Sequence, residues 1–176
     1  KLTREYDYII NCSGFRYTNL NLFDQSIQPE TAMNDKFYSL TEQWESTNIS
    51  NLFFIGTLMQ SIDRKSASGF IHGFRYNIRS LSKLLQQRYE DKPYPKEIIT
   101  INHLPNLLKK IYERFSIGAC IYQLYSLLGD KLVFNEQEKN IEWYKEMPIK
   151  YIQKEINPNK HTFILSLDFG FNHYPG

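Results

Sequence analysis

The sequence is short of the residues that most often announce chemistry. Its 176 residues include two cysteines, Cys12 and Cys120, and four histidines. Two cysteines make no disulfide framework, and no CxxC pair occurs, which excludes a redox dithiol motif. His72, His103, His161 and His173 show no HxxxH or Cys/His ligand spacing, so no metal site is read. GxGxxG, GxSxG and Walker patterns are missing. An excess of one charge is missing too. The net charge of +2 leaves no electrostatic footprint for nucleic acid. No apolar run approaches the ~20 residues of a transmembrane segment, and the mean hydropathy is −0.50.

Aromatic residues, by contrast, are plentiful: 13 Tyr, 12 Phe and 2 Trp. A disordered chain is poor in these, so most of this one is expected to fold. The length fits one domain, or a domain with an appendage. The first residue is Lys1, and a strand-like run follows almost at once. The expectation is a piece of a longer polypeptide, so the absence of a targeting segment carries no meaning.

Tyr6-Asp7-Tyr8-Ile9-Ile10-Asn11-Cys12 reads as a buried strand ended by Ser13-Gly14. Residues 16–34 read as loop, with Phe37, Tyr38 and Trp44 as packing anchors beyond it. Asn51-Leu52-Phe53-Phe54-Ile55 reads as a second buried strand, stopped by Gly56. Ile71, Phe74, Ile78, Leu81 and Leu85 recur at helical steps, with Ser66 or Ser68 placed to cap the helix and Gly69 at its start. The charged, proline-bearing stretch at residues 90–96 is the expected boundary. Beyond it, Pro105 suits the first turn of a helix, and residues 119–128 suit another ended by Gly129. A hairpin at 131–134 and 141–144 and a strand at 162–169 complete an α+β second part.

Two places are candidates for chemistry. Cys12-Ser13-Gly14-Phe15 follows a strand, where glycine lets backbone approach a ligand; a plain strand-to-loop turn has the same pattern. Gly56-Thr57 and Ser68-Gly69-Phe70-Ile71-His72 form a strand, loop and helix start. A helix start offers free N–H groups and a positive dipole end, although many such units only pack on a sheet. Arg79 and Lys83 read as a solvated helix face.

These residues resemble a known pattern. Tyr6 to Phe15 is similar to the D-x-V-I-x-A-T-G-F element of two-dinucleotide-domain flavoproteins, among them flavin-containing monooxygenases and pyridine-nucleotide disulfide oxidoreductases. Trp44-Glu45-Ser46, Asn51 to Met59 and Gly69 to Tyr76 resemble the FAD-dependent oxidoreductase domain-containing family more specifically. The closing Leu167-Asp168-Phe169-Gly170 with Pro175-Gly176 resembles that family's C-terminal extension.

The resemblance implies an α/β fold: the C-terminal part of an FAD-binding, Rossmann-like domain over residues 1–90, then an α+β extension over 93–176. It implies FAD as cofactor, with NAD(P)H as electron donor in the full-length protein. Cys12, Ser13, Gly14, Phe15, Gly56, Thr57, Ser68, Gly69, Phe70, Ile71 and His72 would border the flavin. Gly56-Thr57 stands where the family has Gly-Asp, so the carboxylate contact to the ribityl chain is changed. No catalytic residue is assigned. The endoplasmic reticulum lumen and glycoprotein degradation follow from resemblance alone; a bacterial homologue would be cytoplasmic. An adaptor with structural FAD, whose extension docks a client protein, and a cofactor-free α/β interaction domain remain the alternatives.

Overall fold

The structure is a computed structural model that describes residues 5–12, 14–100 and 104–168. Ser13, His103 and the last stretch of the expected closing strand and tail, residues 169–176, lie outside it. The described chain mixes helix with two antiparallel sheets. A small hairpin, β1 (Thr31–Ala32) and β2 (Phe37–Tyr38), comes first. Helix α1 (Ile71–Tyr89) follows two 3-10 turns, Gly56–Ser61 and Ala67–Gly69. Then come β3 (Lys96–Thr100), α2 (Leu104–Ile117), α3 (Ala119–Gln123), β4 (Leu128–Asn135), β5 (Asn140–Pro148), α4 (Ile149–Lys154) and β6 (Thr162–Leu165). The larger sheet has the order β3-β5-β4-β6.

The β4–β5 hairpin follows the sequence pattern closely. Ile141 and Trp143 alternate inward against Glu142 and Tyr144, as period two demands. The register runs Lys131↔Tyr144, Leu132↔Trp143, Phe134↔Ile141. It slips between Gly129 and Lys131, where Lys145 and Glu146 face Asp130 alone. This is a β-bulge, and Glu146 takes φ +64 within it.

Three apolar clusters hold the described chain together. Trp44 and Met59 from the first loops meet Leu81 of α1 and Cys120, Leu124 and Leu128. Ile99, Leu132, Ile141 and Trp143 of the sheet meet Leu107 of α2. Leu84 of α1 meets Tyr94, Met147 and Ile152. Phe37, Tyr38 and Trp44 are buried, as their role as packing anchors requires.

Several expectations are corrected. Residues 6–12 form no strand, and Tyr8 and Ile9 are 90% and 89% exposed. A strand apolar on both faces needs neighbours on both edges, and among the described residues none pairs with it. Residues 51–55 make only an isolated antiparallel bridge, Glu45↔Phe53, and Ile55 is exposed. The helix expected at 119–128 stops at Gln123. Gly129 ends no helix; it lies inside β4, where a Cβ would come within 2.8 Å of the Leu165 carbonyl oxygen on β6. Neither Ser66 nor Ser68 caps α1, whose N-cap position is Phe70. The stretch at 90–96 leads straight into β3, which the sequence pattern did not show.

Candidate functional site

Helix α1 begins without a side-chain cap. The Phe70 carbonyl accepts from Gly73 and Phe74 at 2.9 and 2.8 Å. The Ile71 and His72 amides come before the first intrahelical bonds and have no hydrogen-bond partner among the described residues. They sit at the positive end of a 19-residue helix dipole. The Phe70 and His72 rings stack at 5.6 Å with planes 9° apart. Phe70 and Ile71 are 64% and 72% exposed, so this end of the helix is open and apolar at its rim.

The loop before the helix is fixed by one carboxylate. Asp63 Oδ2 accepts from the Ser68 hydroxyl at 2.8 Å and from the Ser66 hydroxyl. Asp63 Oδ1 accepts from the Lys65 amide at 3.1 Å. Ser68 is fully buried with its hydroxyl committed to Asp63, so it acts by holding the loop. Gly73 lies against the Ala67 carbonyl, where any Cβ would collide with backbone. Gly69 lies against the Gln60 amide of the preceding turn; a Cβ there would come within 2.9 Å of Gln60 Cδ. Gly56 opens that turn at φ +71, with open space around it, and Thr57 follows half-buried.

The turn that Gly56 and Thr57 open thus meets the start of α1 through Gln60 and Gly69. The other described candidates lie near the β1–β2 hairpin, which meets this turn where the Ser61 hydroxyl donates to the Tyr38 carbonyl. Gly14, at φ +101, faces Lys36, and the Tyr17 amide donates to the Lys36 carbonyl at 2.9 Å. Phe15 lies 6.2 Å from the Tyr17 ring, which stacks on Phe37 at 5.0 Å. Cys12 is exposed. Gly14 and, through Tyr17, Phe15 thus lie beside the β1–β2 hairpin.

The buried face of α1 is not the apolar stripe alone. Gly73, Asn77, Ser80, Leu81 and Leu84 point inward, whereas Ile71 is exposed. Arg79 and Lys83, read as a solvated face, belong to an ion network. Arg79 Nη2 donates to both Glu146 oxygens at 2.6 and 2.5 Å, and Lys83 lies 3.8 Å from the same carboxylate. Behind it Asp130, fully buried, accepts from Arg114 Nε at 2.7 Å, Arg114 Nη2 at 2.9 Å, Trp143 Nε1 at 2.9 Å and the Glu146 amide at 2.9 Å. Cys120 lies in the field of this network, and burial together with Glu146 pushes its thiol up to about 12. It is a buried, inert thiol.

An FAD-dependent oxidoreductase domain-containing protein 2 of Mus musculus is 31% identical over 175 residues, 95% of this chain and 26% of that protein. Its Danio rerio counterpart is 31% identical over 182 residues, 98% of this chain and 26% of that protein. The chain is homologous to FAD-dependent oxidoreductase domain-containing proteins. It spans about a quarter of the length of these relatives. No family model matches it, and no solved structure does.

Two carboxylates shape the region around the site without belonging to any recognisable motif. Asp63 has no sequence partner suggesting acid/base catalysis, yet Asp-x-x-Ser-x-Ser is the spacing of a side-chain-closed turn. Asp130 stands in no motif either, although a carboxylate between Gly129 and the apolar run Leu132-Val133-Phe134 signals a buried partner.

Proposed function

We propose that these residues supply one wall of the flavin site in an FAD-dependent, NAD(P)H-using oxidoreductase, monooxygenase-like or disulfide-reductase-like. The open amino end of α1 carries the proposal, and the names of the homologous proteins agree with it. The Ile71 and His72 amides would face the flavin pyrimidine edge, where the positive helix end favours negative charge. The exposed Phe70–His72 ring pair would border the isoalloxazine. Gly56, with no side chain and open space around it, leaves room for the ribityl chain, and Thr57 offers a hydroxyl in place of a carboxylate. Gly69 and Ser68 hold the loop so that these groups stay turned outward. The backbone of residues 12–15 would close a second border of the site. FAD, when bound, supplies the hydride-accepting chemistry; the protein's part is to bind, orient and polarise it.

Residues 1–90 would thus complete the flavin domain, and 93–176 would form an extension. A second reading makes that extension a docking surface for a client protein, with the flavin structural. Leu108 and Tyr112, neighbours on the outer face of α2 and both exposed, favour it. The test is made on the full polypeptide in which these residues occur. Bound flavin with absorbance near ~450 nm and FAD-dependent NADPH consumption support the oxidoreductase. Bound flavin without NADPH consumption supports the adaptor. A colourless protein that gains no thermal stability from FAD overturns both.

A further inference from the structure

A cleft lies between α2, β3 and β5, lined by none of the residues proposed to face a flavin. It has a volume of about 390 Å³ and is lined by Glu97, Lys110, Glu113, Arg114, Ile117, Gly118, Trp143 and Lys145. Lys110, Arg114 and Ile117 reach it from one face of α2, at helical spacing. Glu97 and Trp143 are paired across β3 and β5, and Lys145 follows Trp143 on the same side of the strand.

Charge in and behind this cleft is unbalanced. Lys110 and Lys145 share a single carboxylate, Glu97; the Lys145 contact is 2.8 Å. Lys145 also lies 5.0 Å from the centre of the Trp143 ring, whose N–H donates to Asp130. Asp130 and Glu146 are left to serve Arg114, Arg79 and Lys83. Five cations therefore face three carboxylates in one connected network. Glu113, the remaining acid at the cleft, is turned toward Lys109, 3.9 Å away on the next turn of α2.

The surplus has an outlet. Arg114 spends Nε and Nη2 on Asp130, and Nη1 has no hydrogen-bond partner among the described residues. Gly118 keeps that atom reachable: a Cβ there would lie 3.0 Å from Nη1 and collide with the Arg114 carbonyl. Ile117, exposed at the rim, offers an apolar surface beside these cations. Burial of the guanidinium leaves it little solvation, which strengthens its pull on an incoming anion.

We propose that this cleft binds a carboxylate ligand carrying an apolar body. The carboxylate takes Arg114 Nη1 and the two lysines, and the body rests on Ile117. A free organic acid and the terminal carboxylate of a peptide share this chemistry.

Calorimetric titration of the 176-residue protein with benzoate tests the proposal. Saturable binding is expected, weakened by Lys145→Gln and tightened by Glu97→Gln, each by about threefold, the scale of an exposed ion pair. Glu97→Gln is the decisive arm. It releases two lysines from their internal counter-ion, and a merely structural role for Glu97 predicts no gain. Lys160→Gln, away from the cleft, leaves binding unchanged. Non-saturable uptake, or equal losses in all three variants, overturns the proposal. A short peptide with a free carboxyl end then separates the sources: acid bound and amide rejected places a chain terminus there. Amide bound as tightly as acid overturns the carboxylate assignment.

Discussion

The buried carboxylate of Asp130 accepts the backbone N–H of Glu146 at 2.9 Å, and this bond holds the β5 bulge in place. The bulge puts Glu146 at φ +64, a conformation that costs a non-glycine residue about 1–2 kcal/mol. In return the Glu146 carboxylate reaches Arg79 on α1. One bulge therefore ties the sheet to the helix whose amino end carries the proposed flavin contacts.

Asp130→Asn removes the counter-charge of Arg114, whose side chain is only 14% exposed. An uncompensated buried charge costs about 3–5 kcal/mol. Urea denaturation of the variant is expected to show a loss in that range. Pairing Asp130→Leu with Arg114→Met is expected to recover part of it, since no orphaned charge remains.

Acid should loosen the same sheet. The hydrogen bonds from Lys110 and then Lys145 hold the Glu97 carboxyl below its ordinary 4.5, and Lys96 does the same for Glu142. A carboxyl whose value is lowered on folding stabilises the fold fully above the unfolded value. That contribution is lost as pH falls through the folded value. The urea midpoint is expected to fall as pH drops below 4.5, and to fall less in Glu97→Gln.

The two thiols should separate by reactivity. Cys12 is exposed, whereas Cys120 is buried with its thiol pushed up to about 12. A thiol reagent at pH ~8 is expected to modify one site rapidly and the second only on unfolding. Mass spectrometry after brief labelling should place the fast site at Cys12.

Gly73 sets how closely α1 lies against the turn before it. Gly73→Ala drives a methyl into the Ala67 carbonyl and should cost about 1–3 kcal/mol, as overpacking does. Gly56→Ala meets no atoms within 4 Å but must hold φ +71. It should cost about 1 kcal/mol through the backbone alone. Thermal melts of the two variants should rank in that order.

The elements legible in the sequence were those whose signal is local. The period of α1 gave its start at Ile71, and the alternation of Ile141, Glu142, Trp143 and Tyr144 gave the hairpin. Trp44 declared itself by size and is wholly buried. What misled was apolar content without neighbours. Ile9, Ile10 and Ile55 have strand character, but a strand is made by its partners: residues 51–55 find only the Glu45↔Phe53 bridge, and residues 6–12 form no strand. Gly129 read as a helix stop because the close approach of β6 is a long-range fact. Arg79 and Lys83 read as solvated because Glu146 is distant in sequence, and only a bulge turns it toward them. At the candidate site, the glycines and the helix start were visible. The Asp63 clamp and the contact of Gly14 with Lys36 were not, since both depend on how the loops close.

The account turns on the uncapped end of α1 as a flavin contact. The measurement that tests it most directly is the FAD dissociation constant of the full polypeptide, by flavin fluorescence, in wild type and in His72→Glu. A carboxylate in the first helical turn competes with an electron-rich flavin edge for the positive helix end. The account predicts tight FAD binding in wild type and about fivefold weaker binding in the variant, the scale of a charge at a helix terminus. Wild-type protein that binds no FAD, or a variant that binds it equally well, would contradict the account.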